Sequence, residues 1–94
     1  MTGEELDEAL RALAHGERRM FLRACRNGPV AAGELAERSR LSLATVSEHL
    51  KVLRKTGLVT LEKDGRFWRY QTDRTRMGRV LAALAQAMET VDGA

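Results

Sequence analysis

Apolar residues recur along this chain at two periods, and the point where the period changes separates a helical body from a β-rich insertion. From Glu5 to Ala14, Leu6, Ala9, Leu10 and Leu13 fall on one side of a helix, which His15-Gly16 breaks. Glu17 to Arg26 predicts a second helix, with Phe21, Leu22, Ala24 and Cys25 as its apolar positions and Arg18, Arg19, Arg23 and Arg26 as its polar ones. Asn27-Gly28-Pro29 ends it, because Gly and Pro in succession form a turn. A short third helix follows around Ala32 to Ser39, its Leu35-Ala36 pair facing the core, and Arg40-Leu41 connects it to Ser42. The Ser42 hydroxyl can accept a first-turn amide and so cap a fourth helix. In that helix Val46, Leu50 and Leu53 share a face that must be buried, while Ala44, Thr45, Ser47, Glu48, Lys51 and Lys55 point elsewhere; Gly57 closes it. Helix, tight turn and capped helix form a helix-turn-helix unit over about residues 32–56.

After Gly57 the period drops from 3.6 to 2. Leu58–Lys63 and Arg66–Gln71 flank Asp64-Gly65, a dipeptide that predicts a hairpin through a type I′ turn with positive φ at both central residues. A hairpin directly behind a helix-turn-helix is a wing, here over about residues 58–72. Its tip carries Lys63 and Arg66, suited to phosphates or an adjacent minor groove, whereas Phe67, Trp68 and Tyr70 read as buried core and strand-pairing residues rather than a base-stacking platform. A last amphipathic helix runs from Asp73 to about Val91, with Met77, Val80, Leu81, Leu84, Ala85, Met88 and Val91 in a stripe longer than a small core can cover. With the first helix (dimerisation segments of about 4–14 and 73–91) it is expected to form a dimer interface of Leu6, Leu10, Leu13, Met77, Val80, Leu81, Leu84 and Met88; the alternative is a helix folded back on its own domain. The fold class expected is mainly α with a small β-hairpin: a winged helix-turn-helix of five helices plus wing, one domain over residues 1–94.

A monomer of 94 residues hides roughly two-thirds of the surface its unfolded chain exposes, which makes self-association useful. The acidic start Met1-Thr2-Gly3-Glu4-Glu5 is unlike a secretory signal, no apolar run reaches the length of a membrane span, and the single cysteine cannot form an internal disulfide. A cytoplasmic location without membrane contact is therefore expected. The net charge of +3 is unevenly spread. Residues 38–79 carry eleven Lys or Arg against Glu48, Glu62, Asp64 and Asp73, a local excess of seven. Such clustering is the footprint of a polyanion-binding surface, although a basic surface also serves solubility. A helix that hides its apolar stripe and offers short polar side chains near its N-terminus suits the major groove.

The chain from Leu13 to Asp73, about two-thirds of its length, resembles the ArsR-type winged-helix repressors of bacteria. The landmarks are Leu13-Ala14-His15-Gly16-Glu17-Arg18-Arg19, Gly33-Glu34-Leu35-Ala36-Glu37, Leu41-Ser42 with Thr45-Val46-Ser47-Glu48-His49-Leu50-Lys51-Val52-Leu53, Gly57-Leu58-Val59, and Asp64-Gly65-Arg66 with Tyr70. The resemblance implies a homodimer joined through its first and last helices that binds an inverted-repeat operator on double-stranded DNA and represses transcription. It places Ser42, Ala44, Thr45, Ser47, Glu48 and His49 on the recognition helix, with Thr45 and Ser47 donating to phosphates or base edges and Glu48 accepting from a cytosine amino group. Lys51, Arg54, Lys63, Arg66 and Arg40 go to phosphates, which position the protein without specifying sequence. His49, at the edge of the buried stripe, is assigned packing or a phosphate ahead of a base contact or a metal.

Members of the family that sense metals through thiolates place two cysteines in or just before the third helix; the matching positions here are Ala31 and Gly33. Others use Asp and His on the last helix, which here has no histidine and only Asp73, Glu89 and Asp92 as acids. His15 and His49 stand far apart in sequence. No metal site and no cofactor is expected, since zinc normally takes four N, S or O ligands. Cys25, beside Phe21 and Leu22, reads as a buried structural thiol; the alternative is a redox-responsive thiol whose pKa is lowered by Arg23 and Arg26. With no phosphate loop and no nucleophile beside a base, an enzyme is not expected. The function expected is a sequence-specific dimeric repressor of a small operon, with its own promoter among the candidate targets and its inducer unknown; the alternatives are a non-specific or architectural DNA-binding protein and a winged helix used only for protein–protein interaction.

Overall fold

The computed structural model describes residues 1–89. Val91 and Asp92, assigned above to the last helix, lie outside the described residues. Helix α1 (Gly3–Leu13) starts at a capping box: the Glu5 amide donates to Thr2 Oγ1 (3.1 Å) and the Thr2 amide to Glu5 Oε1 (2.8 Å). It buries Leu6, Ala9 and Ala12, so its inward stripe is rotated slightly from the expected one, and Leu10 and Leu13 are only half-buried. Helix α2 (Gly16–Ala24) follows. Its Arg18 and Arg19 guanidiniums turn back and donate to the Ala12 and Leu13 carbonyls, orphan acceptors at the end of α1. The helix stops two residues before the expected Arg26, with Cys25 as its cap.

Strand β1 (Val30–Ala31) comes next and was not anticipated. Two residues are too few to show a period, and they become a strand only because β3 lies alongside. Helix α3 (Ala32–Ser39) and helix α4 (Leu43–Lys55) form the helix-turn-helix unit. Strands β2 (Val59–Asp64) and β3 (Phe67–Thr72) form the wing, and the antiparallel sheet has the order β1-β3-β2. The expected fold class thus holds, with a three-stranded sheet in place of a bare hairpin. Its turn differs from the expectation. Asp64 pairs with Phe67, which leaves Gly65-Arg66 as the central residues, and only Gly65 has positive φ (61°). Glycine alone at the first central position is the φ pattern of a type II′ turn, not I′.

The end of α4 fixes where the wing begins. Gly57 (φ 77°) donates to the Arg54 carbonyl, and Leu58 to that of Leu53, the two bonds of a Schellman motif. Leu53 and Leu58 are both fully buried. At the far end of the wing strand, Thr72 ties the sheet to α2, donating from Oγ1 to the Leu22 carbonyl (2.6 Å) and from its amide to that of Cys25 (3.0 Å). Asp73 then accepts from the Arg76 amide at 2.9 Å and so caps helix α5 (Arg74–Glu89), which packs against α1. One core unites these elements around Phe21, Leu35, Val46, Leu50, Leu53, Leu58 and Val80. Among the described residues, no buried side-chain nitrogen or oxygen lacks a hydrogen-bond partner.

Candidate nucleic-acid interface

Burial divides α4 along its length. Val46, Leu50 and Leu53 have at most 1% of their surface exposed, while Ala44, Thr45, Ser47, Glu48, Lys51, Arg54 and Lys55 are all exposed. At helical spacing Ala44, Glu48, Lys51 and Lys55 form the central ridge of the outer face, with Ser47 and Arg54 on one flank and Thr45 on the other. A small residue, an acid and two cations thus line the ridge from its N-terminal end. The acid repels phosphate, so a polyanion can approach Glu48 only where a hydrogen-bond donor faces it.

Ser42 caps the helix as expected, accepting from the Thr45 amide at 3.1 Å. Its hydroxyl also donates to Thr45 Oγ1 at 3.0 Å, so Thr45 keeps its own proton to donate outward. Ser42 is thereby occupied in holding the helix start. Arg40 is exposed in the turn between α3 and α4, in left-handed conformation (φ 62°, ψ 18°), with its amide bonded to the Ala36 carbonyl. Among the described residues it is the one non-glycine with positive φ.

His49 sits at the margin of the buried stripe, half-buried, and accepts a hydrogen bond at Nδ1 from Arg18 Nε (3.1 Å). Its ring lies 6.0 Å from that of Phe21 and 6.1 Å from that of His15. The two histidines, distant in sequence, are therefore neighbours in space. Burial first, and then the Arg18 guanidinium, hold the His49 imidazole below its ordinary pKa, which favours the neutral acceptor form. Packing is the role this geometry supports. Arg18 was not singled out from sequence, where it is one of several arginines on α2. It borders an open groove of about 330 Å³ lined also by Ala44, Thr45, Glu48, His49 and Val52. The approach of α2 to α4 creates this groove, and no local signal announces it.

In the wing, Lys63 and Arg66 are exposed at the tip as expected. Tyr70 is buried, but Phe67 and Trp68 are 60% and 48% exposed, contrary to their assignment to the core. They stand on the part of the hairpin that extends past the helices. Lys63 Nζ lies 4.4 Å from the Trp68 ring centroid, and the Arg69 guanidinium 5.9 Å from that of Phe67.

Away from this face, Cys25 is buried and its thiol is pushed up to about 11 by desolvation, against an opposing effect of Arg38. Burial and the raised pKa favour the structural-thiol reading over the redox-responsive one, and Arg38 is the cation that opposes the shift, in place of the expected Arg23 and Arg26. Of the residues expected at a dimer interface, Leu6 and Val80 are covered by their own chain, and Leu10, Leu13, Met77 and Leu84 are half-buried. Leu81 and Met88 are 61% and 69% exposed.

Residues 13–62 match the helix-turn-helix domain family. The chain is 44% identical over 69 residues to the HTH-type transcriptional regulator Rv2034 of Mycobacterium tuberculosis, a match covering 73% of this chain and 64% of the relative. It is 38% identical over 82 residues to the HTH-type transcriptional regulator CmtR of Mycobacterium bovis, covering 87% of this chain and 70% of the relative. The chain thus spans somewhat less than two-thirds of the length of Rv2034. An ArsR-like transcriptional regulator from Rhodococcus sp. RHA1 superimposes with a TM-score of 0.83 at 27% identity, covering 95% of this chain and 84% of that one. On its capped fourth helix, its wing and these relatives, the chain belongs to the ArsR-type winged helix-turn-helix regulators.

Proposed function

We propose that this protein is a cytoplasmic, homodimeric, sequence-specific DNA-binding repressor. The observation that carries it is the outer face of α4: a rigid ridge of Ala44, Glu48 and Lys51 flanked by Thr45 and Ser47, backed by three buried residues. Small and hydroxylic side chains allow close approach to base edges, Glu48 selects a donor such as a cytosine amino group, and Lys51 and Arg54 reach phosphates. Arg40, Lys63 and Arg66 extend the phosphate contacts to either side of the helix. Names of relatives as transcriptional regulators support the same reading. No helix among the described residues is long and apolar enough to cross a membrane.

The second copy docks on α1 and α5. Leu81 and Met88 lie on the flank of α5 that α1 leaves uncovered. Two-fold symmetry places the recognition helices about one DNA turn, roughly 34 Å, apart. Selection of bound fragments from random and genomic DNA should therefore return an inverted repeat. Enrichment of no sequence would reduce the protein to an architectural binder, and no duplex binding at low salt would leave only a protein-interaction domain. Leu81→Glu tests the interface more cleanly than a change at half-buried Leu84. Sedimentation should show monomers and operator affinity should fall; an intact dimer would contradict the assignment.

A further inference from the structure

The wing sorts its side chains by face. The register pairs Val59 with Thr72, Leu61 with Tyr70 and Lys63 with Trp68 on one face, and Thr60 with Gln71, Glu62 with Arg69 and Asp64 with Phe67 on the other. The first face enters the core at its base, where Val59, Tyr70 and Thr72 are buried, and ends at the tip in Trp68 and Lys63. Both acids of the wing, Glu62 and Asp64, stand on the second face. The outer part of the first face is thus an apolar plate and a cation with no carboxylate beside them.

Lys63 Nζ over the Trp68 ring holds that cation against one face of the indole. A duplex backbone has the complementary composition, because apolar deoxyribose faces alternate with anionic phosphates. Its bases are paired and stacked, so an aromatic ring at the backbone meets sugar rather than a base face. Phe67 is more exposed than Trp68 but shares its face with Glu62 and Asp64, which repel phosphate.

We propose that Trp68 and Lys63 form a clamp for the DNA backbone, the Trp68 ring packing on deoxyribose and the Lys63 ammonium binding the adjoining phosphate. The clamp rests on the DNA-binding reading above and adds affinity without sequence preference.

Trp68 is the chain's only tryptophan, so its intrinsic fluorescence reports on the clamp directly. The wild-type protein is titrated at low salt with a mixed-sequence duplex of roughly three helical turns, binding being followed separately by anisotropy of an end label. At saturation, Trp68 emission should move to the blue and quenching by acrylamide, a neutral probe, should fall. Trp68→Ala should weaken every duplex about tenfold, as expected for lost apolar burial. Its salt slope should be unchanged, whereas Lys63→Ala lowers the slope by about one. Trp68→Phe should restore most of the affinity. Unchanged acrylamide quenching on a duplex that anisotropy shows to be bound overturns the clamp alone, whether or not the alanine variant folds. No anisotropy change at any duplex concentration overturns the DNA-binding reading, and the clamp with it.

Discussion

Helix α4 is held from behind by Val46, Leu50 and Leu53, each almost wholly buried, whereas the outer half of the wing, from Glu62 to Arg69, has no buried residue at all. Both carry basic side chains, but they are anchored by different means. The helix is fixed by core packing, a Ser42 cap at one end and a Schellman motif at the other. The wing tip is fixed by its strand pairing, a glycine turn and a cation–π contact. Reading a base edge requires donors and acceptors placed to within hydrogen-bond tolerance, which a packed helix provides. Holding a phosphate or a sugar tolerates more movement. The division of labour proposed here follows that difference: α4 specifies, and the wing adds affinity.

Removing the anchor from each region should expose the asymmetry most strongly. Leu50→Ala leaves a cavity behind α4 and should cost about 2–5 kcal/mol in denaturant unfolding. Trp68→Ala removes a half-exposed cation–π contact and should cost at most about 1 kcal/mol. Equal losses would mean that the wing aromatics contribute to the core after all, and the comparison would fail.

Arg40 lies between the two regimes. Its left-handed backbone is the conformation that glycine adopts without a Cβ penalty. Arg40→Gly should therefore raise stability by about 0.5–1 kcal/mol, after allowing for the greater entropy of unfolded glycine. The same substitution should weaken binding to all duplexes and reduce the salt slope by about one. A residue that destabilises the fold while aiding binding is positioned for its charge. Unchanged DNA affinity in a stabilised variant would remove Arg40 from the interface.

The contrast between helix and wing also explains what the sequence revealed. The bounds of α3, the Ser42 cap and the Gly57 terminus are local signals, written in adjacent residues, and each is found where expected. Strand β1, the Arg18–His49 bond and the exposure of Phe67 and Trp68 depend on what another segment does. Alternation shows that two strands pair, but not how far the hairpin projects past the helices. Aromatic residues near its tip therefore read as core, although only Tyr70, nearer the base, reaches it. The hidden flank of α4 was legible for the same reason that it is rigid: Val46, Leu50 and Leu53 repeat at helical spacing and all turn inward.

The smallest effect concerns the seam where α2 braces α4. Folding lowers the His49 pKa, so the folded state favours the neutral ring and binds fewer protons than the unfolded state near the ordinary imidazole value of 6.5. The contribution to stability is full above that value and is lost as pH falls through the depressed folded pKa. Arg18, His15 and Glu17 act on the ring electrostatically, and Arg18 also bonds to it. Melting temperatures compared between about pH 7.5 and 5.5 should thus fall more in the wild type than in His49→Gln, whose amide oxygen can still accept from Arg18. The outer face of α4 shares its groove with Arg18 and His49, so protonation of His49 adds a positive charge there that His49→Gln cannot gain. Identical pH dependence in the two proteins would show that His49 titrates as freely in the fold as in the unfolded chain, and that the Arg18 bond contributes packing geometry but no electrostatic coupling.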